Sequence, residues 1–132
     1  MGTLTSQQIN ELADYFFDMA QSLGAFRRQQ FDTLSKQQNK EIKDLQAAII
    51  NCADKLYTLS AISVIDDVRS SLSVIGKLTI QIKMTYQTLQ DIQKGINIAT
   101  SALNLGKAIL KTDPQAIMAA LGSLEENLNS NG

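Results

Sequence analysis

The sequence has no histidine, one cysteine and one proline, and each scarcity removes a class of answer. Without histidine the chain lacks the commonest general base and the commonest transition-metal ligand. The single thiol, Cys52, can form no intrachain disulfide and cannot build a structural zinc site without histidines. Carboxylate-bridged di-iron bundles need Glu-x-x-His pairs, so they are out of reach as well. No phosphate-loop or dinucleotide glycine pattern occurs, since Gly106-Lys107 lacks the upstream glycine and the following hydroxyl. The expectation is a non-enzymatic protein with no cofactor and no metal.

Charge of one sign is also missing. Twelve basic and thirteen acidic residues leave a net charge of −1, whereas a nucleic-acid binder carries a basic excess or stripe. The same balance argues against simple electrostatic attraction to an anionic membrane. No run approaches the ~18 consecutive apolar residues of a spanning helix. There is no N-x-[ST] sequon and no charged start ahead of an apolar signal stretch, which favours a cytoplasmic setting. Met1-Gly2-Thr3-Leu4-Thr5-Ser6 fits the loose myristoylation pattern, but no basic patch follows to supply a second anchor, so a plain start is the better reading. With 44% hydrophobic residues over 132 positions, one domain over 1–132 is expected, with 1–4 and 129–132 as frayed ends.

Turn punctuation is the scarcest feature. Neither glycine nor proline occurs between Gly24 and Gly76, and strand-dense folds need turn chemistry far more often. What fills the gap is helical. Ile9, Leu12, Phe16, Met19, Leu23 and Phe26 recur by threes and fours, and Ile42, Leu45, Ile49, Cys52, Leu56 and Leu59 form a second stripe. A third runs Ile65, Val68, Leu72, Ile75, Ile82, Tyr86, Leu89 and Ile96, with Thr79 and Gln93 at two of its positions. Ser60 to Asp66 reads as a corner, Gly95 as a C-terminal cap, and Thr112-Asp113-Pro114 as a helix start. The pattern predicts helices at about 5–59, with Gly24 as a candidate break, and at 62–94, 96–111 and 114–128. The fold class is all-α: a long antiparallel helical hairpin closed by two shorter helices, a coiled-coil-like helical bundle.

Surfaces follow from what one neighbour cannot cover. Five of the seven aromatics (Tyr15, Phe16, Phe17, Phe26 and Phe31) lie within residues 15–31. Three in succession sweep roughly 200° of a helix, so one flat contact cannot bury them all. Residues 95–124 carry only three charges, Lys107, Lys111 and Asp113, and outside one polar stripe (Asn97, Ser101, Asn104, Lys107 and Lys111) the first of their helices is apolar, a face wider than one partner helix covers. Glu11, Asp14 and Asp18 share one helix face, and Lys36, Lys40 and Lys43 form a basic counterpart. Alone these are solvated faces; in an antiparallel assembly they would set pairing register. Cys52, on the apolar stripe, reads as a packing residue. The expected function is a helical protein–protein interaction or assembly module that pairs with a protein partner or with itself, as a homo-oligomer. Phe17, Phe26, Phe31, Ile98, Leu105 and Ile109 are its candidate interface. The competing expectation is a membrane-active helical protein that inserts its apolar 95–124 hairpin.

Overall fold

A computed structural model describes residues 2–58, 62–64 and 66–129, with side chains for 5–58 and 72–129. Among the described residues five helices form an all-α bundle: α1 (Ser6–Gln29), α2 (Lys36–Tyr57), α3 (Asp66–Thr88), α4 (Ile92–Leu110) and α5 (Pro114–Asn129). Two three-residue strands, β1 (Gly2–Leu4) and β2 (Ile62–Val64), pair antiparallel with Thr3 opposite Ser63. Residues 2–4, expected to fray, are thus tied to the segment that precedes α3.

The long first helix is two helices. Thr5 begins α1 with a capping box: its hydroxyl accepts from the Gln8 amide at 3.1 Å while the Gln8 side chain accepts from the Thr5 amide at 3.0 Å. Ser35 and Gln38 repeat the same device at 3.0 Å in both directions, and two helix starts cannot lie inside one helix. Between them Phe31–Thr33 makes a 3-10 turn. Gly24, in contrast, is buried mid-helix and breaks nothing. The C-terminal end of α1 is held by side-chain amides: Gln29 donates to the Gln87 carbonyl and Gln30 to the Leu89 carbonyl, both at 3.1 Å.

Gly95 does not end a helix either. α3 ends at Thr88, and Asp91 caps α4 by accepting from the Lys94 amide at 3.1 Å, so Gly95 lies in the first turn of α4 rather than after a helix. Its role is close approach. A Cβ there would sit 2.5 Å from Phe26 Cε2. The Phe26 ring lies 4.9 Å from that of Tyr86, whose hydroxyl donates to the Gly95 carbonyl at 2.7 Å. The third corner is as the sequence predicts. Pro114 opens α5, Asp113 accepts from the Ala116 amide at 3.2 Å, and Thr112 takes a left-handed φ of 52°. The Thr112 and Asp113 amides return to the Ile109 and Ala108 carbonyls, closing the end of α4 as a Schellman motif. The corner expected at Ser60–Asp66 lies partly outside the described residues, but 62–64 is strand rather than helix and α3 does begin at Asp66.

The helices form a ring in the order α1, α2, α4, α5, α3, with α1 also touching α4 across the middle. Ile9, Leu12, Phe16, Met19, Leu23 and Phe26 fill the centre from α1, joined by Ile42, Ile49 and Leu56 from α2 and Ile75 and Ile82 from α3. Cys52 is a free, buried thiol beside Gly106 of α4, and burial raises its pKa. That setting fits a packing residue. Besides Tyr86, the buried hydroxyl side chains Thr79 and Ser101 find partners within the bundle. Thr79 donates to the Ile75 carbonyl, and Ser101 meets Ser123 at 3.2 Å and Asn127 at 2.6 Å across the α4–α5 seam.

Candidate interaction surface

The six residues expected at an interface divide cleanly. Phe26, Ile98, Leu105 and Ile109 each have no accessible surface. Their contacts are internal, which corrects the expectation that they face a partner: α4 is enclosed by α1, α2 and α5, so its wide apolar circumference is consumed by the fold. Phe17 and Phe31 remain outside, at 37% and 56% exposure. The Tyr15-Phe16-Phe17 run resolves in the same way. Phe16 is fully buried, Tyr15 half-buried and Phe17 exposed.

Sequence reasoning misses four further exposed apolar side chains, Tyr57, Val74, Ile80 and Met84, and a fifth, Met118, on α5. A signal for them exists, because all five lie off the buried stripe of their own helix. Ile80 and Met84, one turn apart, are each 63% exposed on the outside of α3. A groove of about 370 Å³ runs beside them between α1 and α3, lined among others by Asp18, Phe26, Thr79, Ile80, Lys83 and Tyr86. The Asp18 carboxyl is raised by burial and by the neighbouring Asp14, with Lys83 pulling it back.

The outer face of α1 and α2 is organised differently. The helices run antiparallel, so the start of α1 lies by the end of α2. The Tyr57 hydroxyl donates to Asp14 at one end, the Gln46 side chain packs on Gly24 in the middle, and Arg27 donates to Asn39 at 3.0 Å at the other. Asp14, Phe17, Gln21 and Arg28 repeat by threes, fours and sevens, which keeps them on one side of α1. Lys36, Lys43, Ala47, Ile50, Asp54 and Tyr57 do the same on α2. Negative charge collects at one end. The Asp14 hydrogen bond, partial burial, and the charges of Asp14, Asp18 and Asp54 push the Tyr57 hydroxyl up to about 12. Positive charge collects at the other, from Arg28, Lys36, Lys40 and Lys43. Lys40 pairs with Asp44 at 2.8 Å on the exposed surface. Of the acidic stripe predicted from sequence, Asp14 lies on this face, opposite in charge to the basic stripe, whereas Glu11 and Asp18 turn toward α3. Among the described residues no group of three or more potential metal-binding side chains occurs, and no helix is long and apolar enough to cross a membrane.

Compared with known protein families, with curated proteins and with solved structures, the chain matches none.

Proposed function

We propose that this chain is a non-enzymatic helical interaction module that assembles with copies of itself, within a cytoplasmic setting. One observation carries the reading. Of the seven large apolar side chains left exposed among the described residues, six (Phe17, Phe31, Tyr57, Val74, Ile80 and Met84) lie on the outer sides of α1 to α3 and their turn. Only Met118 lies on α5. Single exposed apolar residues need no explanation, but their concentration on three neighbouring helices supports an interaction role for that side of the bundle. Large aromatics at such positions anchor contacts because they bury much area at small entropic cost.

Light scattering across a range of concentrations tests the reading. The expected result is a mass that rises from one chain toward two or more as concentration increases. A mass of one chain throughout overturns it. Phe17→Asp is expected to weaken association while leaving helicity near wild type, because its side chain is on the surface. Dye leakage from lipid vesicles is the result that would favour membrane activity of residues 95–124 instead. An interaction module leaves the vesicles intact.

A further inference from the structure

The geometry points to a two-fold dimer in which the outer α1–α2 face of one copy lies antiparallel on the same face of a second copy, acidic end against basic end. This rests on the self-association proposed above and adds its partner surface and its symmetry. A two-fold interface is self-complementary, so each patch must meet its complement when the face is rotated onto itself. The α1–α2 face meets that condition. Asp14 and Asp54 lie to one side of the level of the uncharged Gln21 and Ala47, and Arg28, Lys36 and Lys43 to the other. Rotation about that level brings the carboxylates of each copy over the cations of the other, twice per dimer.

The centre of the face supplies burial. Phe17, 37% exposed, and the half-buried Ile50 lie within about a turn of that level on either helix. A partner would cover the part of each that the bundle leaves open. Arg28, Lys36 and Lys43 have no carboxylate within ion-pair distance in the chain among the described residues, whereas Lys40 is already engaged by Asp44. The first three are thus the cations available to a partner. The size is adequate. Two adjacent helices of 24 and 22 residues present ~33 Å by ~20 Å, or roughly 1,300 Å² counted over both copies, within the range of specific interfaces. The α1–α3 groove already sets carboxylates beside ammoniums within one copy, Glu11 and Asp18 of α1 near Lys77 and Lys83 of α3, and so has no separate acidic and basic ends to exchange.

Complementary charge reversal tests the arrangement without depending on any unknown partner. Lys36→Glu with Lys43→Glu makes both ends of the face acidic, and Asp14→Lys with Asp54→Lys makes both ends basic. Each double variant alone is expected to dimerise about 10- to 100-fold more weakly than wild type, and an equal mixture of the two to recover a dimer containing one of each. Salt offers a second readout on the unmodified chain: its dimer should weaken as ionic strength rises. If wild type dimerises but the variants still pair alone, or their mixture stays monomeric, the face is wrong and self-association stands. A salt-insensitive dimer also overturns the face, and so does closure at three copies or more. Wild type that stays monomeric at every concentration overturns both.

Discussion

α4 and the α1–α2 pair use their apolar residues in opposite ways. α4 is the most apolar helix of the bundle, yet no large apolar side chain on it is exposed. α1 and α2 are more polar, yet with the turn between them they expose Phe17, Phe31 and Tyr57. Position in the ring accounts for the difference. Among the described residues α4 packs on α1, α2 and α5, while the helices packed on α2 are α1 and α4, which leaves it an open side. Hydropathy therefore reports how much a helix is able to bury, and neighbours decide where an apolar surplus reaches solvent.

Substitution in the two regions should separate them widely. Leu105→Ala removes a fully buried side chain and is expected to lower unfolding free energy by about 2–5 kcal/mol, measured by chemical denaturation. Phe17→Ala should cost less than about 1 kcal/mol in the monomer, because its ring is already partly in water. Equal losses would break the comparison.

A smaller contrast comes from two helical glycines. Gly95→Ala drives a methyl against Phe26, which cannot retreat easily from Tyr86. The steric cost should exceed the helix-propensity gain, for a net loss of about 1–2 kcal/mol. At Gly122 a Cβ would meet nothing within 4 Å, so Gly122→Ala in α5 should instead raise stability by about 0.5–1 kcal/mol. Thermal denaturation of both variants reads the opposite signs.

Much of this fold is legible in the chain, and the failures have identifiable causes. The buried stripes of α1 and α2 emerge correctly because a 3.6-residue period survives tertiary context, as Ile9 to Phe26 and Ile42 to Leu56 demonstrate. The break at 30–35 escapes a reading that looks to glycine and proline for punctuation. Here the punctuation is a serine with a glutamine three residues on, the same kind of device that opens α1. Ser35→Ala, which removes the acceptor of the Gln38 amide, should cost about 1 kcal/mol in denaturation with the other helix ends intact. Gly95 misleads for the converse reason: a glycine after a lysine matches a helix end locally, but a ring packed against it is a tertiary fact. At the surface, the chain alone identifies Phe17, Phe31 and the two charged stripes, but it does not separate them from Phe26, Ile98, Leu105 and Ile109. Sequence period gives the phase of a helix face and leaves its neighbours unspecified.

Two of the three tyrosines, Tyr57 and Tyr86, give the smallest effect and the finest discrimination between core and face, Tyr15 being raised in its turn by its hydrogen bond to Glu11. Tyr86 is raised well above its ordinary value by burial alone. Tyr57, 40% exposed, is raised to about 12 chiefly because its hydroxyl donates to Asp14, with partial burial and nearby carboxylates adding to it. In both cases the folded chain holds the phenol proton more tightly than the unfolded chain, whose tyrosines titrate near 10. For Tyr57 the stabilisation is fully present below pH 10 and is lost as pH rises from 10 through about 12. Tyr57→Phe should therefore flatten the fall in stability over that window. Asp14→Asn should bring one phenolate absorbance transition back toward 10 and leave that of Tyr86 in place. Added salt should lower the Tyr57 transition and spare Tyr86, since charges near solvent are screened and burial is not. If salt moves both transitions equally, the face and the core do not differ electrostatically, and the charge segregation assigned to the α1–α2 face fails.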